Sequence, residues 1–249
     1  MEDLVLDGHV HCGMTVPFEE IASEWEAGGI HGGALFSPVE EIYDRYDPGF
    51  VDSLQYRTSR TRVHKYLLEI AQRENIFPYF FVWNDFSPIP DTFVGIKWHR
   101  HPDEPPYAYE TDQCRRIIGD ICARRLPVVL EEEFHHTVRF IKEIEDRTVV
   151  IIPHMGALNG GYAKLKMAGV FESEKVWVDT ALAGVHEIRD FAETYGVERI
   201  IFGSDYPFGI PGNEKRKIVR SFSGIDLRAI LSGNLLRLLG RAPRGVLAD

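Results

Sequence analysis

The sequence predicts a single (β/α)8 barrel domain over residues 1–249, with a parallel sheet and an active site at the C-terminal ends of its strands. Short apolar runs rich in β-branched and aromatic residues alternate with amphipathic stretches of helical period along the chain. The runs are apolar throughout, which is typical of parallel strands buried on both faces. Eight predicted strands with their intervening helices in 249 residues fit a closed barrel.

The first half of the chain contains four predicted strands. Proline at an early helical position and the pair Gly28-Gly29 bound the first helix. The second helix has an apolar stripe at helical spacing from Val63 to Ala71. The irregular stretch from Pro38 to Tyr56 is expected to form a lid or part of a substrate pocket. In order, these elements are strand Leu4–His11, helix Pro17–Ala27, strand Gly33–Ser37, helix Thr58–Glu74, strand Tyr79–Trp83 and strand Gly95–His99.

The second half of the chain alternates strands and helices more regularly. Ile117, Ile118 and Ile121 form the apolar face of its first helix. The strands are short runs of valine and isoleucine, which favour extended structure. The predicted strands are Pro127–Glu131, Val149–His154, Val176–Thr180 and Ile200–Asp205, and the predicted helices are Thr111–Arg124, His135–Asp146, Gly161–Ala168, Val185–Tyr195 and Asp226–Leu239.

Several predicted strands end in a residue that can bind a metal ion or move a proton. A closed barrel brings the C-terminal ends of its strands to one mouth, where its active site lies. A doubly wound open sheet has the same periodicity, but the common position of these polar residues favours the barrel. They are His11, His99, Glu131, His154 and Asp205.

Composition and charge narrow the class of partner. The net charge is −10 and basic residues are scattered, which disfavours nucleic acid and anionic membranes and leaves a small molecule as the expected partner. Three widely spaced cysteines favour free thiols in a cytosol. The sequence shows neither a signal segment nor a run of about 18 apolar residues, so we expect a cytoplasmic protein. The sequence is also compatible with self-association into a homo-oligomer.

His9 and His11 are the first candidate metal ligands. Side chains two residues apart on a strand point to the same face, which puts two imidazoles within reach of one ion. Neutral imidazole suits zinc and iron. The alternative is a pair of polar residues at the barrel rim that bind only backbone groups.

Two carboxylates extend this candidate site. Asp205 follows an apolar run and precedes Tyr206-Pro207, so it either caps a turn or binds the ion and serves as general base. Glu131 begins an acidic triplet at the end of a strand, which is either a solvated surface or the source of a zinc ligand. If Leu130 faces the helices, Glu131 and Glu133 share the inward face.

Five short motifs occur in an order that resembles the amidohydrolase superfamily, in its amidohydrolase-related branch of metal-dependent hydrolases and decarboxylases. They are Asp7-Gly8-His9-Val10-His11, Gly95-Ile96-Lys97-Trp98-His99, Pro153-His154-Met155-Gly156, Gly203-Ser204-Asp205-Tyr206-Pro207 and the closing segment from Ile230 to Gly240.

The resemblance implies a barrel fold with one or two divalent ions at its mouth, commonly zinc, with Mn²⁺ or Fe²⁺ as alternatives. It implies that His9 and His11 are ligands and that Asp205 is both a ligand and the base that deprotonates water. His154 would be a ligand or would polarise the substrate. Lys97 lies where some relatives carry a carboxylated lysine that bridges two metals; otherwise it stays cationic and binds an anionic substrate.

The fifth strand departs from the family pattern, because Glu131 stands where relatives usually have a histidine ligand. We expect Glu131 to be a ligand in its place. The walls of the site are expected to hold the substrate, since arginine suits bidentate carboxylate binding. The substrate-binding candidates are Tyr43, Arg45, His99 and Arg100.

The function that follows is metal-dependent hydrolysis of an amide, lactone or ester bond in a small, carboxylate-bearing molecule. Asp205 is the expected general base, and His154 and Lys97 are the other expected catalytic residues. A non-oxidative decarboxylase of an aromatic or unsaturated acid is the alternative enzyme. A catalytically silent barrel used for binding is the alternative from another class.

Overall fold

The computed structural model describes residues 4–241 and contains one sheet of eight parallel strands in the order β1 to β8. Every strand pairs with the next one along the chain, so each connection returns over the outside of the sheet. The strands are β1 Asp7–His11, β2 Gly33–Phe36, β3 Ile76–Phe81, β4 Gly95–His99, β5 Val128–Glu131, β6 Val150–Ile152, β7 Val176–Asp179 and β8 Ile200–Ile201.

The sheet closes on itself where the chain beyond β8 meets β1. Gly8 donates its backbone N–H to the Phe202 carbonyl at 2.7 Å, and Asp205 donates its own to the His9 carbonyl at 2.8 Å. A parallel bridge between Val10 and Tyr206 continues this contact. The prediction of a (β/α)8 barrel is confirmed.

Helices lie between most of the strands and after the last one. The connection from β3 to β4, residues 82–94 within the described chain, contains no helix, and a cavity of about 740 Å³ lies between it and the second helix. The helices are α1 Phe18–Gly28, α2 Leu54–Ile70, α3 Asp112–Arg124, α4 Phe134–Ile144, α5 Tyr162–Met167, α6 Val185–Tyr195, α7 Pro211–Val219, α8 Gly224–Arg228 and α9 Asn234–Leu238.

The core has an inner and an outer part. Apolar side chains that alternate along the strands fill the barrel below its mouth, among them Phe36, Phe77 and Trp177. The outward side chains of the same strands pack against the helices. Gly33 allows β1 and β2 to approach closely, since a Cβ atom there would lie 2.0 Å from the Asp7 carbonyl oxygen.

Several predicted boundaries were wrong. Helix α2 begins at Leu54 rather than Thr58, because the Ser53 hydroxyl caps it by accepting from the Tyr56 N–H at 3.4 Å. Helix α7 was not predicted. The predicted helix Asp226–Leu239 is divided into α8, a π-helical turn over Ala229–Gly233 and α9.

The sixth and eighth strands are shorter than predicted. His154 and Asp205 therefore lie beyond β6 and β8, each with a positive φ, 55° and 58° respectively. Their side chains reach the mouth from turns and not from the strands themselves.

Candidate metal centre

Potential metal ligands from four strand ends converge at the mouth of the barrel. Two overlapping triads have ligand atoms that all lie within 4.8 Å of one another, and every member is buried. His9 belongs to both triads because it extends from β1 toward the barrel axis. The triads are His9, His11 and Asp205, and His9, Glu131 and His154.

Asp205 lies between the two imidazoles of β1. Its Oδ1 atom is 3.3 Å from His9 Nε2 and 3.1 Å from His11 Nε2. Two ligand atoms that bind a tetrahedral zinc ion at about 2.0 to 2.1 Å are about 3.3 to 3.4 Å apart. The spacing of these three groups therefore fits the donor set of a divalent ion.

Glu131 is surrounded by nitrogen atoms. Its Oε2 accepts from Lys97 Nζ at 2.9 Å and lies 3.6 Å from His154 Nε2. Its Oε1 lies 2.6 Å from His101 Nε2 and 3.2 Å from His99 Nε2. One oxygen thus faces the metal-ligand candidates, while the other faces the wall of the mouth.

Lys97 is completely buried beside this carboxylate. Its ammonium group also lies 3.4 Å from His9 Nε2 and 4.6 Å from the centre of the Phe36 ring, within the range of a cation–π contact. Lys97 and His99 are two residues apart on β4 and so share a face, and both side chains contact Glu131.

The pKa values of the two carboxyls are held down by their neighbours. Burial acts to raise the pKa of Asp205, but His9 and His11 hold it well below its usual range. Burial acts in the same direction on Glu131, and Lys97 and His99 hold its pKa well below its usual value. Both groups are therefore carboxylates at neutral pH.

The imidazoles respond to burial in different ways. Burial lowers the pKa of His11, and it lowers the pKa of His99 to about 4. Burial also acts to lower the pKa of His154, but the neighbouring Glu131 raises it to about 9. Burial and Lys97 lower the pKa of His9, and Asp179 and Asp205 outweigh them, so that it lies above its usual value.

A polar network forms the wall of the mouth beside Glu131. The Tyr43 hydroxyl donates to Glu104 Oε2 at 2.6 Å and lies 3.3 Å from His99 Nδ1. Arg45 donates to Glu104 Oε1 at 2.7 Å and to His101 Nδ1 at 3.0 Å. Because the guanidinium can only donate, His101 carries its proton on Nε2 and donates it to Glu131.

Arg100 points away from this wall. Its guanidinium donates to Glu132 at 2.9 Å and to Glu133 at 3.1 Å, and Glu132 is buried on the outer side of β5. Glu133 was expected on the inward face with Glu131, but β5 ends at Glu131 and Glu133 lies beside His136 at 3.0 Å. Alternation therefore does not extend as far as Glu133.

Asp179 and Glu104 were not among the predicted site residues. Asp179 is the last residue of β7, and its Oδ2 lies 2.7 Å from His9 Nδ1. Its place at a strand end is the same signal that marked the other ligand candidates. Glu104 lies in the connection after β4, where the sequence gives no periodic pattern.

A metal ion fits the residues that are present. The donor set of three imidazoles and two carboxylates is one that zinc, manganese and iron accept. Asp179 Oδ2 contacts His9 Nδ1, which leaves Nε2 as the ring nitrogen on the side of the other candidates, and His9 is shared by both triads. This sharing favours one ion among the five residues over one ion in each triad.

The chain belongs to the amidohydrolase superfamily, in its amidohydrolase 2 branch. A family model described as amidohydrolase matches residues 91–241, which is more than half of the chain. The resemblance seen in the sequence motifs is confirmed. No curated protein was found to match the chain in sequence.

Solved structures share the fold over nearly the whole chain. A 2,6-dihydroxybenzoate decarboxylase from Rhizobium has a TM-score of 0.71 at 15% identity, with 96% of this chain and 98% of that chain covered. A putative 2-pyrone-4,6-dicarboxylic acid hydrolase from Pseudomonas putida gives the same four values. A dihydroxybenzoic acid decarboxylase from a Polaromonas species, with bound manganese and 2-nitroresorcinol, has a TM-score of 0.74 at 13% identity and coverages of 98% and 100%.

The cysteines and the length of the helices bear on the expected location of the protein. All three cysteines are free and buried. Among residues 4–241, no helix combines the length and apolar character that crossing a membrane requires.

Proposed function

We propose that this protein is a metal-dependent hydrolase of an amide, lactone or ester bond in a small, carboxylate-bearing molecule. The observation that carries the proposal is the position of Asp205. It is an ionised carboxylate held between two imidazoles at the mouth of a barrel, where a general base for water is needed.

The ion would be held by residues from both ends of the chain and from its middle. One divalent ion, Zn²⁺ in preference to Mn²⁺ or Fe²⁺, would take its ligands from His9, His11, Glu131, His154 and Asp205. When bound, it would make a coordinated water more acidic and polarise the carbonyl group of the substrate.

Asp205 moves the proton in this proposal. Its carboxylate takes a proton from the attacking water and returns it to the leaving group, as general acid–base catalysis requires. Oδ1 faces His9 and His11, while Oδ2 lies 3.9 Å from His154 Nε2. The second oxygen is thus directed to the side where His154 would bind the ion or orient the substrate carbonyl.

Lys97 would act as a cation that binds the carboxylate of the substrate. A carboxylated lysine would place a second anion against Glu131 Oε2, which now accepts from the ammonium group at 2.9 Å. Like charges at that distance repel strongly in a buried site. Tyr43, His99 and Arg45, which line or support the same wall, would complete the substrate pocket, whereas Arg100 would support β5 from outside.

The alternative is decarboxylation on the same residues. The similar solved structures include both decarboxylases and a putative pyrone hydrolase, and one of the decarboxylases holds manganese. In that reaction the substrate would lose CO2 and accept a proton at carbon, so that no new acid would form.

Asp205→Asn tests the proposal. Zinc-loaded and manganese-loaded protein would be assayed against lactones, amides, esters and aromatic acids, with release of acid and of CO2 measured separately. We expect acid release, and at least about a hundredfold loss of kcat in Asp205→Asn. The matched control is Asp190→Asn, a half-exposed carboxylate that contacts Lys166 on the outside of the barrel.

Two results would overturn the proposal. Full turnover by Asp205→Asn would remove Asp205 as the base. Release of CO2 without hydrolysis would establish the decarboxylase instead.

A further inference from the structure

Asp179 contacts two of the metal-ligand candidates at once. This carboxylate is 1% exposed and ends β7, between the turns that carry His154 and Asp205. Its Oδ2 lies 2.7 Å from His9 Nδ1. Its Oδ1 accepts the backbone N–H groups of His154, at 2.9 Å, and of Ala181, at 3.1 Å.

The contact with His9 decides which ring nitrogen is free. An ionised carboxylate only accepts hydrogen bonds, so His9 carries a proton on Nδ1. His9 Nε2 is then the ring nitrogen on the side of the ligand candidates, 3.3 Å from Asp205 Oδ1 and 3.4 Å from Lys97 Nζ, and it is the nitrogen that an ion would use.

The contact with His154 holds a strained turn. His154 and Met155 both have left-handed backbone angles, with φ values of 55° and 51°, which cost free energy in residues other than glycine. Asp179 fixes this turn by accepting a hydrogen bond from the His154 N–H. The ring is fixed through Nδ1, which donates to the Ala181 carbonyl at 3.0 Å, and Ala181 is itself held by Asp179.

We propose that Asp179 is the positioning residue of the metal centre and prepares His9 and His154 together to bind one ion. It belongs to neither metal-ligand triad, and its Oδ2 contacts His9 on the Nδ1 side of the ring. The inference rests on the proposed function only in requiring that an ion binds at this mouth.

Asp179→Asn tests this inference, because the backbone N–H groups around residue 179 determine how the asparagine side chain is oriented. The N–H groups of His154 and Ala181 need an acceptor, so the amide oxygen of asparagine takes the place of Oδ1. The NH2 group then faces His9 and can only donate. His9 Nδ1 must accept, the proton moves to Nε2, and that nitrogen can no longer bind an ion.

The expected result is weaker metal binding in a protein that keeps its fold. In competition with a chelator, Asp179→Asn should bind zinc about 10 to 100 times more weakly than wild type. The visible absorption bands of the cobalt-loaded protein should change, because one nitrogen ligand is lost. Asp190→Asn is the control and should match wild type in both measurements.

Nitrogen-15 NMR of the histidine rings in metal-free protein separates this inference from the proposed function. His9 Nδ1 should carry a proton in wild type and none in Asp179→Asn. A protonated Nδ1 in both proteins, or unchanged zinc affinity in the variant, would overturn the role of Asp179. Wild-type protein that binds no divalent ion would overturn the proposed metalloenzyme, while the NMR comparison would still decide what Asp179 does to His9.

Discussion

Glu131 stands where the resemblance led us to expect a histidine ligand, and its surroundings explain what a carboxylate does at this position. A neutral histidine at this position would leave the Lys97 ammonium buried without an anion beside it. Glu131 neutralises that charge, and its other oxygen accepts from His101 and lies 3.2 Å from His99 Nε2. Lysine and glutamate are thus coupled, and each is tolerated at this depth because the other is present.

The coupling predicts how variants of this pair affect stability. Glu131→Gln keeps the size of the side chain but leaves Lys97 unpaired, and we expect it to lower the free energy of unfolding by about 3 to 5 kcal/mol. Adding Lys97→Met removes the unpaired cation and should restore part of that loss. Urea unfolding of the metal-free proteins measures both effects.

Glu133→Gln provides the matched control for this comparison. Glu133 is about one-third exposed and contacts Arg100 and His136 outside the barrel mouth. Glu133→Gln should lower the free energy of unfolding by less than about 1 kcal/mol. A loss in the double variant equal to the sum of the losses in Glu131→Gln and Lys97→Met would show that Lys97 and Glu131 are not coupled.

At the scale of elements, the sequence predicts the bounds of a segment well when the segment itself has a clear apolar period and recognisable end residues. Strand β4 and helix α6 have the predicted bounds, and α3 differs only at Thr111, whose hydroxyl caps it. These segments have a clear apolar period and recognisable ends. The unpredicted α7 has no strong apolar stripe, and only Pro211 and Ile218 in it are buried.

Tertiary contacts explain what local patterns miss. Lys215 of α7 donates to the carbonyls of Gly28 and Gly29, at 2.9 and 2.8 Å, and so caps the end of α1. His154 and Asp205 were placed at the mouth correctly but on strands that end earlier, since their turns depend on contacts with β7 and β1. The outward direction of Arg100 follows from alternation after His99, a signal available in the sequence.

The contact between α2 and β3 makes one pH-dependent prediction. His64 packs on the Phe80 ring, with 4.3 Å between centroids, and its Nε2 accepts from the Phe81 N–H at 3.3 Å. Burial and the nearby Arg60 lower the pKa of His64 to about 3. The unfolded chain takes up a proton near pH 6.5, whereas the folded protein does so only near pH 3, so acidification through this window favours unfolding.

His64→Gln should remove this sensitivity. Glutamine retains an acceptor for the Phe81 N–H and does not titrate. Between pH 7 and pH 5, the free energy of unfolding measured in urea should fall by about 2 kcal/mol more in wild type than in His64→Gln. The exposed His186 on α6 offers a control, His186→Gln, which should behave as wild type. Equal losses of stability in wild type and His64→Gln would contradict a neutral His64.

At the scale of the whole molecule, the candidate metal centre joins parts of the chain that are far apart in sequence. His9 and Asp205 are separated by nearly the whole described chain, and they meet where the barrel closes between β1 and the segment after β8. Glu131 and His154 add the middle of the barrel. An ion bound there would cross-link the first and last strands in the folded state and find no such arrangement in the unfolded chain.

Metal removal should therefore lower the stability of the whole barrel. Zinc at a free concentration of 100 times its Kd stabilises the folded state by about 2.7 kcal/mol. In a chain of this size, that raises the Tm by roughly 5 to 11 °C. Differential scanning fluorimetry with zinc, and again after addition of a chelator, measures the shift in Tm and its reversal.

Asp205→Asn should show a much smaller shift in Tm, because it loses the carboxylate between His9 and His11. Asp190→Asn is the control and should show the same shift as wild type. The same Tm for wild type with zinc and with chelator would mean that these residues hold no ion.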